Sequence, residues 1–452
     1  MPKKRRESTS WRNDGMLNKT KSFIPKRWLN GYHFLLAHLA AFVYRHPSSA
    51  MRVIGVTGTN GKSSTVQLIG QLLAGLGKKI GWTTTASFRI GDIERENNEK
   101  MTMLGRFATQ KLLREMKKAG CEYAIIETSS QGVEQSRHRG IRYDTLVFTN
   151  LTPEHIEAHG GFEKYKLAKL SLFACFETLS DKIINGVRVP KTIVVNLDDE
   201  HAGDFAMHNS DRTLGFTCMP NHEPVSVDEE IRAADIVYEL NGTTAKINGR
   251  AFESPLTGAY YFKNTLAAIS AVVSLGFTLE RILPVAKTLK PIAGRLETFK
   301  WRGATIIVDY AYEPYALRAL YEAAALFNPK RIIHVTGSAG GGRDVSRRAE
   351  IGRLAAERDD VIVVTNEDPY DDDPIQIIND VAAGATENGM VDGENLFRIS
   401  DREKAIHFAI KRAESGDIVL ITGKGSETVM AVANGKKIPC DDRATVRGII
   451  GA

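Results

Sequence analysis

The run "RVIGVTGTNGKSST", residues 52–65, constrains what this chain can fold into more than any other stretch. A β-branched segment passes into glycines, then a lysine, then three hydroxyls. Arg52 to Val56 reads as a buried strand, and Val66 to Leu76 as a helix with apolar residues at helical spacing. Between them, Gly58 and Gly61 let backbone N–H groups turn toward an anion. Lys62 adds a point charge, the helix N-terminus adds its dipole, and Ser63 can ligate Mg²⁺. The spacing departs from the usual G-x-x-x-x-G-K-[ST], because Val56 stands where the first glycine belongs. A strand–turn–helix with a chance lysine is the bland reading; a polyphosphate cradle is the expectation.

Strand-like runs recur after this loop, at "EYAIIE" (122–127), "DTLVFTN" (144–150) and "KTIVVN" (191–196), with helical stretches at 107–118 and 161–174 between them. Such alternation predicts a parallel sheet covered on both faces. Residues from about 200 to 255 read as short antiparallel strands, and 263–276 as a helix. The pattern restarts near Pro291, with strands "ATIIVDY", "RIIHVTG", "DVIVVTN" and "DIVLITG". The expected fold is therefore α/β: a central P-loop ATPase domain (50–292) and a C-terminal Rossmann-like domain (293–452), preceded by a tail and helix (1–49). Ligands in such folds bind beyond the carboxyl ends of the strands.

Composition enters through the tail. The net charge of +6 is mostly local, since residues 1–27 carry nine Lys/Arg against two acids. The remainder is near neutral and has no aromatic-interleaved basic platform, so nucleic acid is not an expected partner. Four cysteines without CxxC pairing suggest free thiols in a reducing compartment. The segment "WLNGYHFLLAHLAAFVY" (28–44) is too short and too His-interrupted for a membrane span. A helix packed on the domain is expected, with membrane-surface attachment as the alternative. A signal peptide is conceivable, but an adjacent ATP site argues for the cytoplasm. A monomer is expected.

Glu127, ending "YAIIE", can face a Mg²⁺ held by Ser63; His155 and Lys169 follow in order. Each alone has a dull explanation as a solvated or structural residue. Together, "TGTNGKSS", "ETSSQGVEQSR" (127–137), "TNLTPEH", "GRLE" (294–297), "VDYAYEP" (308–314) and "GKGSE" (423–427) resemble the Mur ligases, within them the UDP-N-acetylmuramyl-tripeptide synthetase branch. The resemblance implies ATP-dependent formation of an acyl phosphate on a substrate carboxylate, which an amino acid's amine then displaces. The protein's share of such chemistry is positioning and charge neutralisation.

The resemblance assigns Gly58, Thr59, Asn60, Gly61, Lys62, Ser63 and Ser64 to the ATP phosphates, with Arg295 and Asp309 reaching ATP from the C-terminal domain. It assigns Ser63, Glu127, His155 and Lys169 to magnesium, Lys169 as a carbamate, and Lys62, Glu127, His155 and Lys169 to catalysis. Thr102, Ser130, Gln135 and Arg137 would touch a muramyl-peptide acceptor. Arg343, Glu367, Asp368, Pro369, Tyr370, Gly423 and Glu427 would hold the incoming amino acid.

The chain departs from the family in several places. Only about fifty residues precede the phosphate loop, where the family carries a domain for the uridine nucleotide. "TML" (102–104) replaces Thr-Thr-Pro, Gln131 a His, Tyr261 an Asn near adenine, and Tyr312 a His. At "EDPYDDDP" (367–374), Tyr370 stands where diaminopimelate enzymes place a carboxylate-gripping Arg, and Asp371, Asp372 and Asp373 follow. Acids there would favour a cationic side chain such as L-lysine or ornithine; alternatively 370–373 form a solvated helix cap, Asp373-Pro374 reading as a helix start. Two further readings stand beside this one. One is a Mur-type ligase on another carboxylate, such as a folate polyglutamate or storage polypeptide; the other is a non-catalytic nucleotide-binding scaffold.

Overall fold

A computed structural model describes residues 26–153, 159–343 and 345–451. Two sheets carry the chain. The first has eleven strands. Its centre is a parallel ladder in the order Glu229–Glu239, Arg212–Thr217, Thr192–Asn196, Thr145–Phe148, Arg52–Thr57, Tyr123–Glu127, Ile80–Thr83. Antiparallel strands extend it at both edges: Ser87–Ile90 and Ile93–Glu96 on one side, Gly242–Ile247 and Arg250–Ser254 on the other. The antiparallel expectation for about 200–255 therefore holds only for its second half. Arg212–Thr217 pairs parallel on both sides, buried from Thr213 onward between Thr192–Asn196 and Glu229–Glu239.

The strands form where β-branched residues are buried on both faces, as at Ile54, Val56, Ile125, Val147 and Val194. The helix Lys62–Gly75 covers one face and packs on Ala259–Ser274. Gly70 lets that helix approach Trp82, whose ring would stand 2.6 Å from an added Cβ. Leu68, Ile69, Leu72 and Leu73 are fully buried there, each stabilising the fold by about 1.5–3 kcal/mol before entropy is counted.

The second sheet runs Glu297–Trp301, Ala304–Val308, Ile418–Ile421, Ile332–Thr336, Val361–Val364, Leu396–Arg398, parallel except for its first pair. Between the sheets the chain passes through residues 292–295. The Tyr261 hydroxyl fastens this passage, accepting from Ile292 N (2.8 Å) and donating to Arg295 O (3.2 Å). Gly294, at φ +64°, touches Gly425, and a Cβ would stand 2.1 Å from the Gly425 carbonyl carbon. Register then aims the chemistry. Val56 faces Glu127 and Thr57 faces Phe148, so three strand ends deliver their loops to one edge of the first sheet, opposite the loops of the second. No helix among the described residues is long and apolar enough to cross a membrane.

Candidate active site

A cleft of about 630 Å³ opens between the two sets of loops. On one wall the phosphate loop is stapled from the neighbouring strand. Asn60 N donates to Asn150 Oδ1 (2.8 Å), while Thr149 Oγ1 (2.7 Å) and Asn150 Nδ2 (3.1 Å) donate to Asn60 O. Gly61, at φ +80°, precedes the helix, and a Cβ on it would stand 2.1 Å from Asn264 Oδ1. Only glycine meets both the left-handed backbone and that approach. Lys62 Nζ folds back on Thr59 O (2.6 Å). Lys169, almost fully buried, donates to Gly58 O (2.6 Å) with its ammonium 4.5 Å from the Tyr165 ring centroid.

Beside the helix start, Ser63 Oγ donates to Glu127 Oε2 (2.7 Å), which also accepts from Thr85 N (2.8 Å). Thr85 Oγ1 in turn donates to Thr102 Oγ1 (3.0 Å), linking the carboxylate to the next stretch of wall. His155 lies outside the described residues. Ser130 Oγ bonds His159 Nε2 (3.2 Å), whose Nδ1 meets Glu134 (3.1 Å). Arg137 donates to Gln135 Oε1 (2.6 Å) and to the Met103 carbonyl, and Arg106 donates to the Gln135 carbonyl. Thr102, Ser130, Gln135 and Arg137 thus line one end of the cleft.

The opposite wall comes from the second sheet. Asp309 is buried and caps the junction, accepting from Leu296 N (2.7 Å), Ala311 N (2.8 Å) and Tyr260 Oη (3.2 Å). Burial raises its pKa, against the pull of Arg295. Arg295 lies over the Tyr310 ring (4.3 Å) and lines the cleft, as does Ser64. Arg343 hydrogen-bonds Tyr370, which sits at φ +52° with its ring against Gly341. Glu367 is 5% exposed, lines the cleft beside Gly423, and its Oε2 has no hydrogen-bond partner. Burial, then Asp368, raises its pKa.

Asp368 and Glu427 are tied to two lysines. Lys424, fully buried, meets Asp368 Oδ1 (3.0 Å) and Glu427 Oε2 (2.6 Å). Lys100, from the first sheet's side, meets Asp368 and Glu427 (2.8 Å). Burial lowers Lys100, whereas in Lys424 the two carboxylates outweigh burial and raise it.

Of the proposed site residues, all line this cleft except Gly58 and Pro369, which shape the loops behind it, and His155. Two placements depart from the sequence reading. Asp371, Asp372 and Asp373 are exposed and turned to local work: Asn434 N donates to Asp371 (2.7 Å), Arg348 pairs with Asp372 (3.0 Å), and Asp373 caps Ile375 N (2.9 Å). The helix-cap alternative describes these three acids but not Tyr370, which bridges to Val432 and lines the cleft. Tyr261 faces the junction, and Asn264 instead stands at Gly61. Asn150, Thr85, His159, Asn264 and Lys100 were not singled out from sequence; only the Asn in "VFTN", at a strand's carboxyl end, carried a local signal.

The loop fits a nucleotide: its glycines admit no Cβ, and its lysine and helix N-terminus present positive charge. Ser63 Oγ and the Glu127 carboxylate are a hard oxygen pair of the kind Mg²⁺ takes beside phosphate oxygens.

Residues 56–272 match the Mur ligase middle domain and 294–425 the Mur ligase glutamate ligase domain. The UDP-N-acetylmuramoyl-L-alanyl-D-glutamate–2,6-diaminopimelate ligase of Geobacillus kaustophilus is 34% identical over 416 residues, 92% of this chain and 82% of the relative. The UDP-N-acetylmuramyl-tripeptide synthetase of Roseiflexus sp. is 35% identical over 433 residues, 94% and 83% of the two chains. A solved diaminopimelate ligase structure is similar with a TM-score of 0.58 at 30% identity, covering 89% of this chain and 78% of that one. The chain belongs to the Mur ligase family, is similar over most of its length to the tripeptide synthetases within it, and is an ATP-dependent amide ligase.

Proposed function

We propose that the protein adds a cationic diamino acid, L-lysine being the expected one, to the carboxylate of a muramyl-dipeptide-type acceptor in peptidoglycan precursor synthesis. The acceptor carboxylate oxygen attacks the γ-phosphorus of ATP, ADP leaves, and an acyl phosphate forms. The amine nitrogen then attacks the acyl carbon and inorganic phosphate departs, leaving an amide. Lys62 and the loop amides neutralise the phosphates; Ser63, Glu127, His155 and Lys169, the last as a carbamate, would hold magnesium, which supplies charge neutralisation when bound. Thr102, Ser130, Gln135 and Arg137 orient the acceptor. Arg343, Asp368, Gly423 and Glu427 position the amino acid. In this reading residues 50–292 bind ATP and acceptor, 293–452 deliver the amine, and the enzyme works as a cytoplasmic monomer.

The preference for a cationic side chain is carried by Glu367, a buried carboxylate at the cleft with an unpartnered oxygen, together with Tyr370 where a guanidinium would grip a distal carboxylate. An ammonium satisfies Glu367; a second carboxylate would repel it. Phosphate release is to be measured with lysine, ornithine, diaminopimelate and glutamate, against UDP-linked and UDP-free muramyl dipeptides. Lysine or ornithine should give the highest kcat/KM. Turnover with diaminopimelate alone would refute the charge argument while leaving the ligase chemistry intact.

A further inference from the structure

The helix Lys26–Val43 contains no acidic residue, and from Tyr32 onward it carries apolar side chains on both its docked and its outward face. Ala37, Ala40 and Ala41 are buried against the helix Arg106–Lys118 and Gly140, so this face is docked. The opposite face carries Tyr32, Leu35, Leu39, Phe42 and Val43, at helical spacing of three and four, and all are exposed. Leu35 is 68% and Phe42 72% exposed. A folded surface does not ordinarily leave such a stripe to water.

Two features of the chain say what covers it. Residues 1–25, directly before the helix, carry seven Lys/Arg against two acids, and Lys26 and Arg27 follow. The helix is also too weakly apolar to cross a bilayer. An outward apolar stripe, no acids on the helix and an adjoining basic run together match an anionic lipid surface, where the helix lies in the headgroup plane. We propose that this helix and the basic run before it dock the enzyme on an anionic membrane. The docked end is not arbitrary. Arg139, two residues after Arg137, lies over the Phe34 ring of this helix (5.7 Å), so the start of the stripe stands near the end of the cleft lined by Gln135 and Arg137. On the acceptor assignment above, the bilayer lies at the acceptor's mouth; the docking itself does not depend on that assignment.

The test is co-sedimentation of the full chain with phosphatidylcholine vesicles containing phosphatidylglycerol, against phosphatidylcholine alone, with Leu35→Glu/Leu39→Glu as the variant. The wild type should pellet with the anionic vesicles and less so as salt rises. The variant should bind about tenfold or more weakly. Because both side chains face out, its melting temperature and its phosphate release with soluble substrates should match the wild type. Equal binding by the two proteins, or no binding by the wild type, overturns the proposal. So does a concentration-dependent dimer in light scattering that the variant abolishes, which would make a second copy the occupant.

Discussion

His138 joins sequence, burial and pH in one side chain. It follows Arg137 in the turn beside the cleft's first-sheet wall, is 4% exposed, and neither ring nitrogen has a hydrogen-bond partner. Burial, with a smaller push from Arg139, brings its pKa down to about 3 from an ordinary 6.5. The unfolded chain therefore binds a proton near pH 6.5, and the folded one only near pH 3. The contribution to stability is whole above 6.5 and shrinks as pH falls toward about 3, by about 1.4 kcal/mol per unit. Replacing His138 with Leu removes the proton from both states. Urea midpoints at about pH 7 and about pH 5 should show the wild type losing about 2 kcal/mol more than His138→Leu. Equal losses would mean that His138 titrates alike in both states. The turn after Arg137 thus carries a neutral imidazole that acid unfolding would charge.

At the scale of an element, the loop and helix after Asn366 show why charge read along the chain misleads about charge in space. Three successive acids look like one wall of a binding pocket, yet a β-bridge at Tyr370 and the helix Pro374–Thr386 turn them to different partners. Asp373 supplies the helix cap. Asp373→Ala should cost about 1 kcal/mol of stability, read by thermal or urea unfolding, and leave the KM for the amino acid unchanged. A raised KM would restore the acids to the pocket. The residues of this stretch that do line the cleft, Glu367, Asp368 and Tyr370, precede the run. What the sequence made legible follows the same division. The buried strands, the phosphate loop and the helices around it rest on local periodicity and glycine placement, and the structure has them within a few residues. Two things rested on nothing local. Arg212–Thr217 is parallel because of its neighbours in the sheet, and Lys100 meets Asp368 across 268 residues of chain.

The two sheets form one site only while their loops face each other; a buried apolar cluster runs through both, taking in Leu266, Leu296, Ala311, Leu320 and Ala323, and polar contacts bridge the cleft itself. Asn60 Nδ2 reaches Glu313 Oε1 (3.0 Å) across the cleft. Thr428 Oγ1 donates to Asn98 Oδ1 (2.9 Å), and Lys437 Nζ to Asn98 O (2.8 Å). Lys100, a non-glycine residue at φ +54°, sends its buried ammonium to Asp368 and Glu427. A left-handed lysine costs about 1 kcal/mol or more, and the cross-cleft ion pairs hold it there. Removing one member of a buried ion pair ordinarily costs about 3–5 kcal/mol, because the other is stranded. Here Lys424 keeps both carboxylates partnered, so Lys100→Met should spare the fold and weaken closure by about 1–2 kcal/mol. The phosphate loop does not touch Lys100, so the KM for ATP should hold within about twofold while kcat falls about tenfold. Small-angle scattering should report a larger radius of gyration. A variant with full kcat and unchanged dimensions would show that Lys100 merely fills the cleft's edge. A loss in kcat alone would instead mean that the amine reaches the acyl carbon only when this lysine joins the two halves.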